Sequence, residues 1–175
     1  AKPQPTSVTP TTNKLPTWTW SPISDASVYG VILNNSSETF IKTNSFTAPS
    51  QLSDGDNVIK VRAQDAVGNV SDYGTHTVKV DTTPPATPVV SSDTPTTTSK
   101  RPTWKWTRID DAVKYVWKLQ LVSKGGQVEK IITAGTSTLN SYTPNTDLTD
   151  GHYMLTVTAV DALNNESSAN SFTLL

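Results

Sequence analysis

A chain of 175 residues with 34% hydrophobic and 17% charged side chains has apolar material for one large or two small cores, and is too apolar to stay disordered. Its formal net charge of −1 gives no basic footprint for nucleic acid or anionic lipid. The absence of cysteine excludes disulfides, thiolate nucleophiles and cysteine-ligated metals. Apolar runs are only a few residues long, far short of a membrane span, so no membrane insertion is expected. No basic-then-apolar leader opens the chain at Ala1-Lys2-Pro3, so an export signal is expected to be removed or to lie outside it.

In chain order, the first regular stretch is Thr17-Trp18-Thr19-Trp20, where two indoles share one face and two threonines the other. That period of two is the signature of a half-buried strand. Tyr29, Val31 and Leu33 repeat the alternation. Asp54-Gly55 is a turn signal, followed by a strand in which Ile59, Val61 and Ala63 alternate with Val58, Lys60 and Arg62. Gly68-Asn69 marks the next turn. The pattern then begins again. Pro16-Thr17-Trp18-Thr19-Trp20 returns as Pro102-Thr103-Trp104-Lys105-Trp106, and Tyr29 as Tyr115 with Trp117, Leu119 and Leu121 behind it. Leu52-Ser53-Asp54-Gly55 returns as Leu148-Thr149-Asp150-Gly151, and Val61, Ala63, Asp65, Asn69 and Ser71 as Val157, Ala159, Asp161, Asn165 and Ser167. The offset grows by about ten residues between Tyr115 and Tyr142, where Gly125-Gly126 predicts a turn inside a longer hairpin. This many matches in order define an internal duplication.

Between the copies runs Val80-Asp81-Thr82-Thr83-Pro84-Pro85-Ala86-Thr87-Pro88. Its prolines fix φ and disfavour helix before each one, so a short, extended, stiff connector is expected. The expected organisation is a first domain over 1–81, a Pro-rich linker over 82–88 and a second domain over 89–175. Pro3 aligns with Pro88 and Leu174-Leu175 with Val78-Lys79, from which both ends are expected to have been cut from a longer array.

The order of these residues resembles bacterial Ig-like and fibronectin type III-like domains, twice over nearly the whole chain. The carriers are the Trp near the second strand, the Tyr on the third, and Leu148 to Asp161, whose Leu-x-x-Gly-x-Tyr leads into Val-x-Ala-x-Asp. The resemblance implies an all-β fold of two tandem Ig-like, Greek-key sandwiches, with Tyr153 at the tyrosine corner. Copy one departs from the pattern, with Asn57 in that place. The connector resembles those joining repeats of large bacterial surface proteins and adhesins.

Candidate sites are few. The five tryptophans read as core, because burying each is worth roughly 1.5–3 kcal/mol and small domains need them; the competing reading is sugar stacking, with Trp20 or Trp106 exposed near a strand end. Asp54, Asp56 and Asp81 on one side of the junction and Asp110, Asp111 and Asp161 on the other admit two readings. They are turn formers, with Asp65 and Asp161 bonding the loops that follow them, or they supply oxygen ligands for an interdomain calcium ion, as the adhesin resemblance implies. His76 and His152 fall at non-equivalent positions, and no nucleophile elbow, phosphate loop or paired-His motif is present, so no catalysis is expected.

The reading that follows is a non-catalytic structural or adhesive module of an extracellular or bacterial surface repeat protein, a stiff spacer whose partners are neighbouring Ig-like repeats. The alternatives are a module binding a glycan or host protein, with specificity in the hairpin around Lys124-Gly125-Gly126-Gln127, and an accessory spacer of a secreted polysaccharide-degrading enzyme.

Overall fold

A computed structural model describes residues 1–175. The chain divides into two compact units, Ala1–Thr82 and Thr83–Leu175. All regular structure is strand, and no helix is long and apolar enough to cross a membrane.

The first unit contains β1 (Thr17–Thr19), β2 (Val28–Leu33), β3 (Thr39–Ile41), β4 (Ser45–Thr47), β5 (Gly55–Gln64) and β6 (Gly74–Val80). β1 pairs with β4, and the larger sheet runs β3-β2-β5-β6, all antiparallel. The segment before β1 is held to both sheets, by an antiparallel bridge from Thr6 to Thr19 and a parallel bridge from Thr11 to Val80. The alternation in β5 decides which face is sealed. Asn57, Ile59, Val61 and Ala63 point into the sandwich, with Ile59 and Val61 fully buried, while Val58, Lys60, Arg62 and Gln64 line the other face. Trp18, Trp20, Tyr29, Val31, Val78 and Val80 complete the core.

The second unit repeats the plan with β7 (Val90–Ser91), β8 (Trp104–Trp106), β9 (Lys114–Val122), β10 (Val128–Ser137), β11 (Ser141–Tyr142), β12 (His152–Val160) and β13 (Asn170–Leu174). One sheet runs β11-β8-β7 and the other β10-β9-β12-β13. Tyr153, Leu155, Val157 and Ala159 of β12 face inward, against Trp104, Trp106, Tyr115 and Leu119. Each unit is an Ig-like β-sandwich.

The cores are copies down to ring geometry. Trp20 meets Tyr29 edge-on at 5.4 Å and 71°, and Trp106 meets Tyr115 at 5.6 Å and 66°. Both are the edge-to-face arrangement that aromatic quadrupoles favour. The hydroxyl of each tyrosine accepts a backbone N–H from the loop before its strand, Ile23 at 2.9 Å and Ile109 at 2.8 Å.

The copies differ where the extra residues enter. They lengthen the β9–β10 hairpin, closed by a turn in which Gly126 has φ of 81° and the Ser123 N–H reaches the Gln127 carbonyl at 2.8 Å. That φ lies in the left-handed region glycine tolerates best. β10 is a sheet edge carrying two register shifts.

Candidate functional site

The sugar-stacking expectation for the tryptophans does not survive the packing. Trp20 is 4% and Trp106 2% exposed, and Trp18 and Trp104 are fully buried. Trp20 and Trp106 lie at a strand end, as their positions suggest, but each ring packs on its tyrosine, and its backbone carbonyl accepts an asparagine amide from one strand away, Asn44 at 2.8 Å and Asn140 at 3.1 Å. Trp117 is only partly buried; it stacks on Tyr142 at 4.0 Å and lies against Gly135, where any Cβ would press on its ring.

Asp65 and Asp161 are the clasps of the loops after β5 and β12. One Asp161 oxygen accepts the N–H of Leu163 and of Asn165, both at 2.8 Å, and the other accepts the Asn165 side-chain amide at 2.8 Å. Asp65 does the same with Val67 at 3.0 Å, Asn69 at 2.8 Å and the Asn69 amide at 2.7 Å. The left-handed position these loops need is filled by Gly68 in one and Asn164 in the other, two residues suited to it. The Asn69 side chain is the largest influence on Asp65 and, with the loop N–H groups, holds its carboxyl below the ordinary aspartate range. Burial pushes Asp161 up, but its three donors prevail and hold it low as well.

The other acidic candidates divide by unit. In the first, the Asp54 carboxylate accepts the Thr82 N–H at 2.9 Å and the Thr82 hydroxyl at 2.9 and 3.0 Å, and pairs with Lys14 at 3.1 Å. The connector residue Asp81 donates its N–H to the Thr11 carbonyl at 3.0 Å, and Asp56 stands exposed on β5. In the second, Asp110 and Asp111 are the central residues of the turn closed by Ala112 N–H to the Ile109 carbonyl, and Asp110 lies 3.7 Å from Arg108. The Val113 N–H bonds the Val160 carbonyl at 2.9 Å, which brings this turn beside Asp161. No three His, Asp or Glu side chains stand together as a metal-holding group. His76 is on β6 and His152 on β12, at non-equivalent places.

Two polar arrangements escape a reading of the sequence alone. Arg62 bonds both oxygens of Glu38, the Nε contact being 2.6 Å, and Tyr73 donates to the same carboxylate at 2.9 Å while its ring lies 5.2 Å from the guanidinium carbon. Partial burial raises the Glu38 carboxyl, yet the Arg62 and Tyr73 hydrogen bonds hold it below its ordinary value. Gly30 makes room for it, since a Cβ there would overlap the carboxylate; a glycine inside a strand is the one sequence signal for such an approach. The second arrangement is at Asn57, 3% exposed, which donates to the Ser53 and Gly55 carbonyls at 3.0 Å and accepts from Asn34 at 2.7 Å. Tyr153 in the other copy reaches Thr149, also four residues back, through its hydroxyl at 3.1 Å. The corner is therefore closed in both units, by amide in one and phenol in the other.

On the lengthened hairpin, Val128 is 50%, Ile131 55% and Ile132 38% exposed on β10, while other exposed apolar side chains, such as Val8 and Val67, are scattered over the surface.

A family model for the bacterial Ig-like domain matches residues 87–175, half of the chain, and the chain belongs to that family. Among solved structures, the FN1–FN3 domains of chicken CNTN1 superpose with a TM-score of 0.50 at 14% identity, covering 98% of this chain and 65% of theirs, which is a likeness of fold. The fibronectin(III)-like modules of Clostridium thermocellum CbhA give 0.46 at 14% identity, covering 98% and 93%. No curated protein sequence matches significantly.

Proposed function

We propose that the chain is a non-catalytic structural or adhesive module of a bacterial cell-surface or secreted repeat protein, acting as a stiff spacer beside neighbouring Ig-like repeats. The observation that carries this is the use of both Trp–Tyr sets to seal two separate sandwich cores. The Asp65 and Asp161 carboxylates hold the loops that follow β5 and β12, a structural task. Membership of the bacterial Ig-like family supports a structural role and a place outside the cell.

Small-angle scattering on the whole chain tests the spacer reading. A stiff spacer gives one elongated profile that ionic strength leaves unchanged; a broad distribution of particle dimensions overturns it. Binding on a glycan array above background would favour the glycan-binding alternative, with the β9–β10 hairpin as the segment to truncate. The calcium proposal, with ligands from Asp54, Asp56 and Asp81 on one unit and Asp110, Asp111 and Asp161 on the other, is tested by repeating the scattering with calcium and then chelator. A changed profile or melting temperature supports it, and no change removes it.

A further inference from the structure

The second unit has a cavity of about 200 Å³ lined by Thr97, Lys100, Leu148, Asp150, Gly151 and Tyr153, with Leu174 and Leu175 at its side. Through the duplication, Thr97, Lys100, Leu148, Asp150 and Gly151 are the counterparts of Thr11, Lys14, Leu52, Asp54 and Gly55. In the first unit those residues hold a peptide segment, the connector itself. Val80, fully buried, pairs with Gly55 across the sheet and bridges Thr11 in parallel register. The Asp81 N–H reaches the Thr11 carbonyl at 3.0 Å, and the Asp54 carboxylate takes both the N–H and the hydroxyl of Thr82. The same approach begins in the second unit, where the Thr97 N–H bonds the Leu175 carbonyl at 3.3 Å as that of Thr11 bonds the Lys79 carbonyl at 3.0 Å.

We propose that this cavity is a docking slot for an extended connector segment of the Val-Asp-Thr type running on from β13. The apolar residue would pair with Gly151 and fill the space beside Leu148, Tyr153 and Leu174. The next N–H would meet the Thr97 carbonyl, and the Asp150 carboxylate would receive the threonine N–H and hydroxyl. Specificity lies in that last contact. A short β-hydroxy residue presents two donors to one carboxylate, a pairing that glycine or alanine lacks and that charge strengthens. Each sandwich of this kind is then completed by the first residues of the connector that leaves it. This inference stands on the duplication and not on the spacer reading.

The test is the whole chain extended after Leu175 by Val-Asp-Thr-Thr, compared with the unextended chain and with an Ala-Gly-Gly-Gly extension, by hydrogen exchange. Docking slows exchange over 148–153 and 170–175 by roughly fivefold or more, the scale of one net hydrogen bond. Segments 52–57 and 74–80 of the first unit serve as internal reference and stay unchanged. Asp150→Ala reverses the slowing in the extended chain and has little effect without the extension. Equal exchange with and without Val-Asp-Thr-Thr, or equal slowing by Ala-Gly-Gly-Gly, overturns the proposal while leaving the scattering result untouched.

Discussion

Asp161 grips Asn165 twice, taking its backbone N–H on one carboxylate oxygen and its side-chain amide on the other, both at 2.8 Å. Because Asp161 is 5% exposed, removing the carboxylate strands several loop donors where water replaces it poorly. Asp161→Ala is expected to cost about 2 kcal/mol, on the scale of hydrogen bonds to a charged group, measured by chemical denaturation. A loss no larger than that of an exposed control such as Asp110→Ala would refute the clasp.

Acid should weaken both loops together. Asp65 and Asp161 both have carboxyls held below the ordinary range in the fold. A carboxyl lowered in this way stabilises the folded state fully above its unfolded value, about 3.9, and that contribution is lost as pH falls through the lower folded value. Melting temperature, followed from pH 7 to pH 2, should be level above about pH 5 and fall below about pH 4. The Asp65→Asn, Asp161→Asn pair should start lower and show a shallower acid limb.

The two forms of the corner predict unequal costs. Tyr153→Phe removes one hydroxyl contact and keeps the ring, an expected loss of about 0.5–1.5 kcal/mol. Asn57→Ala leaves the Ser53 and Gly55 carbonyls and the Asn34 amide without a buried partner. It should cost about 1–3 kcal/mol. Parallel denaturation of the two variants gives the ranking.

Trp104 is fully buried, and its indole N–H points at the Phe172 carbonyl at 3.3 Å. Trp104→Ala should destabilise by about 3–5 kcal/mol. Near-ultraviolet circular dichroism of the variant should lose the aromatic signature of the second core.

Gly30→Ala should break the Glu38–Arg62–Tyr73 cluster rather than the sheet, because the clash is with a flexible carboxylate end. The expected readout is an Arg62 side chain that exchanges rapidly by NMR, as it should also in Glu38→Gln.

What a reader of the sequence can see depends on how local the cause is. The inward faces of β5 and β12 follow from alternation alone, and the long hairpin from the position of Gly125-Gly126. The loop clasps are legible because Asp and Asn are only four residues apart in both copies. The Glu38 cluster is not, since its members are 24 and 35 residues apart and meet only through the pairing of β2, β3 and β5. Asn57 was equally hidden: an amide in a tyrosine's place reads as a loss until Asn34 and the Ser53 carbonyl are seen beside it. The burial of Trp20 and Trp106 is legible from alternation, whereas the Asn44 and Asn140 amides that bond their backbone carbonyls lie 24 and 34 residues away and are not.

The parallel bridge between Thr11 and Val80 has a consequence under load. Tension applied to the two ends of the first unit pulls these neighbouring segments in opposite directions along their length. The bonds from Thr11 to Lys79 and from Asp81 to Thr11 would then have to rupture together in shear instead of unzipping singly. Forced extension is governed by the unfolding rate and not by equilibrium stability, so Thr11→Pro, which deletes one of those donors, should lower the rupture force of this unit more than its melting temperature.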